Sequence, residues 1–379
     1  MSSAGPILPG ATLGILGGGQ LGRMFTVAAR TLGYHVVVLD PDADSPAGRM
    51  ADEHLHAAYT DTWALDQLAA TCAAITTEFE NIPAAVMERL AQSVPVRPSA
   101  TALSKTQNRI HEKTFIQQTG LATAPFHAVE SEVDLEQAFA AVGAPAILKR
   151  ASLGYDGKGQ VGVDSLATLQ QGFADLGGVP CVLERRVQLE REVSVVLARN
   201  CHGESRCYPV AENRHVGGIL HTSIVPARVP EALANQAQVM AVQLADALDY
   251  CGVLAVEFFV VDGQLLVNEL APRPHNSGHY TLDACVTSQF EQQVRMVCGL
   301  PFGDTRLLSP VVMVNLLGDL WGATQPDWLA LLSDASAKLH LYGKREARPG
   351  RKMGHFCVLD TNVDDALTRA DALFSQLAG

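Results

Sequence analysis

The sequence predicts an α/β protein with a parallel sheet at its N-terminus, a larger mixed unit in the middle and a small β-rich unit at its C-terminus. Three observations carry that prediction. In the first third, β-branched runs alternate with stretches of helical spacing. In the middle, strand patterns return in quick succession around glycine-rich turns. From about Ser309, short strands flank a basic stretch. At 379 residues, the chain is long enough for two or three domains.

Thr12–Leu16 is a short apolar run that stops at Gly17-Gly18-Gly19. Gln20–Thr31 then carries Leu21, Met24, Phe25, Val27 and Ala28 at helical spacing. Residues 35–39 are β-branched and close at Asp40-Pro41, and a helical stretch over 63–72 leads to a strand at Ala74–Thr77. Strands separated in this way pair in parallel through right-handed crossovers. Ligands then collect beyond the strands' carboxyl ends, where the glycines, Asp40, Glu78 and Glu80 fall. The proline-rich run 94–99 marks a boundary, giving units over 1–105, 106–308 and 309–379. The second opens with a helix over 108–119 and a turn at Gly120, followed by a helix near 133–142 and strands at 146–149, 181–184, 192–198, 253–260 and 264–270. A mobile subdomain is expected at about 146–205. The last unit carries strands at Val311–Leu317 and 355–359.

Composition narrows the function. Forty acidic residues against 28 Lys and Arg give a formal charge of −12, which disfavours nucleic acid and anionic membrane as partners. The eight cysteines show no CxxC and read as reduced, mostly buried thiols rather than disulfides or a zinc site. The first Lys or Arg is Arg23, and no apolar run is long enough to span a bilayer, so a soluble cytoplasmic protein is expected.

Four segments carry candidate chemistry. Gly17, Gly19 and Gly22 fit the G-x-G-x-x-G spacing, with Asp40 ending the next strand; this is a dinucleotide fingerprint in outline, and equally a tight turn whose glycines only permit close packing. Lys149 ends a strand before the loop Gly154-Tyr155-Asp156-Gly157-Lys158-Gly159-Gln160, a point charge plus glycines able to close backbone N–H groups over phosphates. Glu257 and Glu269 lie on successive strands joined at Asp262-Gly263. A two-residue loop would set them on opposite faces, whereas a three-residue loop over 261–263 makes them diagonal neighbours on one face, and Gly263 favours the latter. Two such carboxylates with Asn268 suit a hard cation completed by substrate phosphates. The polar run Arg273-Pro274-His275-Asn276-Ser277 follows directly and is expected to face the same cavity. The basic run over 344–352 is either an anion-binding loop or a solvated charge run, and the acidic balance of the chain favours the anion site.

In this order, the segments resemble the ATP-grasp superfamily and, within it, the N5-carboxyaminoimidazole ribonucleotide synthetases. The resemblance runs from Gly14 to about His355 and is most specific at residues 18–24, 154–160, 268–279 and 348–355. It implies an ATP-grasp fold behind a Rossmann-like domain. It also implies ATP-dependent carboxylation of 5-aminoimidazole ribonucleotide (AIR) by bicarbonate, through carboxyphosphate, to N5-CAIR, ADP and phosphate in purine biosynthesis. Mg²⁺, with Mn²⁺ as a substitute, would sit on Glu257 and Glu269, and the enzyme would be a homodimer. ATP would meet Arg109, Lys149, the loop Gly154–Gln160, the hinge Glu184, Arg185, Arg186 and Val187, then Glu192, His215, Asn268 and Glu269. The substrate would meet Gly19, Gln20, Leu21, Glu80, Arg273, His275, Asn276, Ser277, Lys344 and Arg351, with the AIR phosphate against Gly19, Gln20, Leu21, Arg273, Lys344 and Arg351 and Glu80 facing AIR. Tyr155, Asp156 and Lys344 are the candidates for orienting AIR or moving its amine proton. Leu153 and Asn108 depart from the family's common Gly and Asp without touching a carboxylate or a cation. The rival readings are a nicotinamide-dependent oxidoreductase, a non-catalytic nucleotide-binding module and a formate-using relative acting on glycinamide ribonucleotide. The first leaves Lys149 and the Glu257/Glu269 pair without a task.

Overall fold

The computed structural model describes residues 5–152, 154, 159–322 and 324–378. Its first sheet is four-stranded and parallel, built from β1 (Thr12–Leu16), β2 (His35–Asp40), β3 (Glu53–His56) and β4 (Ala74–Thr77) in the order β3-β2-β1-β4. Leu16 pairs with Leu39 on one side and Thr77 on the other, so these strands end together. That register gathers Gly17, Asp40 and Glu78 at one rim.

A second, antiparallel sheet contains β5 (Phe126–Val129), β6 (Ala146–Arg150), β7 (Gln160–Val163) and β8 (Cys181–Arg185), ordered β5-β8-β6-β7. The third sheet is the frame of the molecule. It takes β9 (Arg191–Arg199), β10 (Ser205–Cys207), β11 (Ala211–Val216), β12 (Ile219–Val225), β13 (Gly252–Val261), β14 (Gln264–Ala271), β15 (Val311–Leu317), β16 (Ala337–Leu341) and β17 (Lys352–Leu359). Its order is β14-β13-β9-β11-β12-β15-β17-β16, with β10 on β9. Two differences from expectation follow. β9, inside the expected mobile range, pairs along β13 in the central sheet. The C-terminal strands also continue that sheet, because β15 hydrogen-bonds to β12.

The helices seal these sheets. α1 (Gln20–Thr31) buries Met24, Phe25 and Ala29. α2 (Arg109–Gln118) is capped by Asn108, whose side chain accepts from the Ile110 and His111 amides. α3 (Glu231–Ala247) covers the core on β9 and β13, α4 (Gln289–Cys298) lies between the first and third sheets, and α5 (Val363–Ala378) covers β15 and β17. On α4, Gln293 accepts from Val253 N (2.6 Å) and donates to Thr76 Oγ1 (2.8 Å), while Arg97 donates to the Met296 and Val297 carbonyls. Buried amides paired on both ends hold the N-terminal sheet in one orientation. Among the described residues, no helix is long and apolar enough to cross a membrane.

The cysteine reading needs one correction. Cys201 and Cys251 form a disulfide across a Cα separation of 5.1 Å. Arg199 pairs with Gly252 across β9 and β13, so the residues just past those ends meet although 50 positions separate them. Cys72, Cys181, Cys285, Cys298 and Cys357 are buried thiols, and Cys207 is half-buried.

Candidate active site

The nucleotide side forms where α2, β6, β8 and the β13–β14 hairpin converge. Glu184 Oε2 lies 3.1 Å from Lys113 Nζ and 3.2 Å from Lys149 Nζ. Burial alone would raise the Glu184 carboxyl, but Lys113 and then Lys149 outweigh it and hold it below its ordinary value. Two ammoniums sharing one carboxylate leave net positive charge beside the β6–β7 turn. Glu184 Oε1 is buried and has no partner among the described residues. Arg185, expected at the nucleotide, instead aims its guanidinium at the Val142 carbonyl (2.5 Å), at the end of a neighbouring helix. Arg186 is held through its amide to the Pro145 carbonyl, and Val187 follows outside the sheet.

Glu257 and Glu269 stand directly opposite one another, by a route that corrects the expected hairpin. The loop is the two-residue Asp262-Gly263, both at positive φ (49° and 69°), with Val261 paired to Gln264. Regular pairing would then set Glu257 against Asn268. A β-bulge between Glu257 and Phe258 shifts the register by one and brings Glu269 to the same face. Burial, then the Glu269 charge, pushes the Glu257 carboxyl up to about 7. Asn268 Nδ2 approaches Glu257 Oε2 at 3.5 Å, and Arg109 joins Glu269 Oε2 (3.1 Å) to the Gly154 carbonyl (3.3 Å). Glu192 Oε2 lies 2.8 Å from His215 Nδ1, raising that imidazole's pKa despite its burial.

Two residues of this wall escaped the sequence reading. Lys113 and Glu112 are both 1% exposed, and Glu112 accepts the Leu270 amide at 2.7 Å. Burial, then Glu269, pushes Glu112 up to about 8. A signal was present: Arg109, Glu112 and Lys113 share one helical face, which places three charges where an ordinary helix buries apolar side chains.

The second side is built by the N-terminal rim and the C-terminal strands. Glu80 forms an ion pair with Arg273 Nε, and the guanidinium overrides burial to hold the carboxyl low. His275 Nε2 is 3.4 Å from Glu257 Oε1, and burial, with Arg273 nearby, keeps its imidazole neutral. Lys344 donates to Gln20 Oε1 and to the Lys352 carbonyl (2.7 Å), so the basic run lies across the glycine turn. Arg351 donates to the Glu346 carbonyl at the rim. At the turn, Gly18 N donates to Asp40 Oδ2 (2.6 Å), Gly22 N to Glu78 Oε2 (2.5 Å) and Gly19 N to Glu78 Oε1, with Gln20 and Leu21 next along α1. A cavity lined by Glu80, Gln107, Arg109, Glu112, Glu269 and Arg273 joins the two sides.

Asn276 and Ser277 do not face that cavity as expected. Asn276 exchanges amide hydrogen bonds with Asn315 on β15, and Ser277 Oγ accepts from Ser194 Oγ (2.8 Å). Both are buried because the turn after β14 tucks beneath the central sheet. Gly154, Gly159 and Gln160 bound the glycine loop, with Lys149 opposite Gln160; Leu153, Tyr155, Asp156, Gly157 and Lys158 lie outside the described residues.

Comparison with known proteins agrees along the chain. Residues 10–107 match the ribonucleotide synthetase preATP-grasp domain, 114–290 the ATP-grasp domain and 311–369 the phosphoribosylaminoimidazole carboxylase C-terminal domain. The N5-carboxyaminoimidazole ribonucleotide synthase of Brucella melitensis is 49% identical over 92% of this chain and 96% of its own. That of Bacillus subtilis is 48% identical over 95% and 94%. The crystal structure of N5-carboxyaminoimidazole synthase from Aspergillus clavatus, in complex with ADP and 5-aminoimidazole ribonucleotide, superposes with a TM-score of 0.89 at 31% identity, covering 97% of this chain and 98% of that one.

Proposed function

This chain belongs to the N5-carboxyaminoimidazole ribonucleotide synthase family, and from that premise we propose that it carboxylates AIR with bicarbonate and ATP in purine biosynthesis. The observation that carries the reading is the shared cavity. Arg109, Glu112 and Glu269 form one wall, and Glu80 with Arg273 forms the other. A bicarbonate oxygen takes the γ-phosphoryl group, releasing ADP and giving carboxyphosphate. The exocyclic amine of AIR then attacks its carbonyl carbon, phosphate leaves and the amine proton is lost.

Lys149, with Lys113 behind it, and Arg109 hold the polyphosphate, since phosphoryl transfer depends mainly on positioning and charge. Glu184 and the chain to Val187 flank adenine, while Glu192 and His215 take the ribose. Glu257 and Glu269, helped by Asn268, hold Mg²⁺ or Mn²⁺; burial first, and then the facing Glu269 charge, make Glu257 keep its proton, which suits a carboxylate pair short of a cation. An ion held by these residues would supply positive charge for the phosphoryl oxygens. Arg273 and His275 orient bicarbonate, and the Gln20 and Leu21 amides with Lys344 and Arg351 take the AIR phosphate. Closure of residues 154–160 shields the mixed anhydride from water. Tyr155, Asp156 or Lys344 handles the amine proton. The enzyme works as a cytoplasmic homodimer. The Aspergillus complex, with ADP and AIR bound, supports both substrate assignments.

Steady-state ADP release with MgATP and bicarbonate tests the reading. Stimulation by AIR, and none by glycinamide ribonucleotide with formate, is expected. Equal release with and without AIR overturns it.

A further inference from the structure

The glycine-rich turn already holds a carboxyl group belonging to the protein. The first N–H groups of a helix have no partner within it, and in α/β folds they attract phosphate. Here Glu78, the first residue after β4, reaches across the rim. Its two oxygens accept from Gly19 and Gly22, and Asp40 takes Gly18. The glycines are shaped around that carboxylate. A Cβ on Gly17 or Gly19 would come within 2.5 Å of Glu78, and one on Gly22 within 2.6 Å of the Gly17 carbonyl oxygen. The fingerprint spacing therefore serves close packing of a side chain, in the volume that a dinucleotide's pyrophosphate would fill.

We infer that Glu78 is a specificity-determining residue, an internal substitute for phosphate that closes the turn to diphosphates and leaves the Gln20 and Leu21 amides to a single phosphate group. The inference rests on the AIR reading above. One helix terminus carries about half an elementary charge, and one carboxylate already answers it. A further anion at this place needs cations from elsewhere, and Lys344, on Gln20, is one that the C-terminal unit supplies. A phosphomonoester fits that arrangement. A pyrophosphate would lie against both Glu78 and Asp40 and be repelled.

The test uses the full-length chain with Glu78→Ala and Glu78→Gln. Binding of inorganic pyrophosphate is measured by calorimetry with saturating MgADP present to fill the nucleotide site. At least tenfold tighter binding is expected in Glu78→Ala than in the parent. Added acetate, a carboxylate small enough for the vacated space, is expected to compete with pyrophosphate in Glu78→Ala alone. The KM for AIR should rise at least tenfold, and at least five times more than any change in the KM for MgATP. Acetate should reverse that rise, which a merely structural defect would not allow. Equal pyrophosphate binding in parent and variants, with no acetate effect, overturns the inference. Should Glu78→Ala not fold, Glu78→Gln gives the pyrophosphate comparison at constant side-chain volume. The calorimetry involves no AIR, so it remains decisive even if ADP release proves independent of AIR.

Discussion

Glu257 binds its proton more tightly in the folded protein than in the unfolded chain, with a pKa of about 7 against 4.5, and Glu112 shifts the same way to about 8. A carboxyl shifted upward contributes stability that is fully present below its unfolded pKa and is lost as pH rises through the folded one. His275, His279 and His355 are held well below their ordinary 6.5, so they are neutral in both states above about pH 7.5 and drop out there. The metal-free protein should therefore lose stability between about pH 7 and pH 9. Urea midpoints across that range check this, with a flatter profile expected for Glu257→Gln. Mg²⁺ binds the ionised pair and should raise the midpoint more at the alkaline end. For turnover, Glu269→Gln keeps the side-chain volume and removes the charge. ADP release should fall at least ~100-fold, the scale of losing one preorganised charge in a transition state, with the circular dichroism spectrum unchanged.

The elements were legible wherever their cause is local. β1, α1 and β4 stand at the ranges read from periodicity, and Asn108 caps α2 where the sequence placed a helix start. The β13–β14 hairpin shows where legibility stops. Asp262-Gly263 suits a two-residue turn, yet the alignment of Glu257 with Glu269 depends on a bulge that no local pattern announces. Lys113 was hidden for a similar reason: its partner Glu184 is 71 positions away on another sheet, and the pair is visible only once α2 and β8 pack together. Its effect is electrostatic and reaches across elements. With Lys113 present, Glu184 divides its charge between two ammoniums, leaving Lys149 partly uncompensated for phosphate. Lys113→Met should let Glu184 neutralise Lys149 and raise the KM for MgATP about tenfold, the equivalent of ~1.4 kcal/mol, with a smaller change in the KM for AIR. An unchanged KM for MgATP would show that Lys149 acts without help.

At the scale of the whole molecule, the site is divided between the separate antiparallel sheet and the frame of the third sheet. Lys149 and its carboxylate partner Glu184, on the nucleotide side, belong to the separate antiparallel sheet. The AIR side is braced into one unit by Gln293 and Arg97 between the first and third sheets, by Asn276 with Asn315 beneath the central sheet, and by Lys344 on Gln20. That bracing explains why the expected contacts of Asn276 and Ser277 could not be judged from sequence. Polar residues beside a site look alike whether they meet a ligand or hold its walls, and only the packing of β15 decides. It explains the continuous nine-stranded sheet as well, since strands that carry Lys344 to Gln20 must be fixed to the frame bearing Glu257. The AIR side is braced without any residue of that antiparallel sheet, so AIR offered alone and ADP offered alone should each bind without the other. Calorimetry with single ligands tests this. Lys344→Met should weaken AIR binding at least ~10-fold, about the ~1.5–3 kcal/mol of a charge-assisted hydrogen bond, and leave ADP binding within twofold. Lys149→Met should do the reverse. If Lys149→Met weakened AIR binding in the absence of nucleotide, the two sides would already be coupled in the empty enzyme, and the division of the site drawn from the sheets would fail.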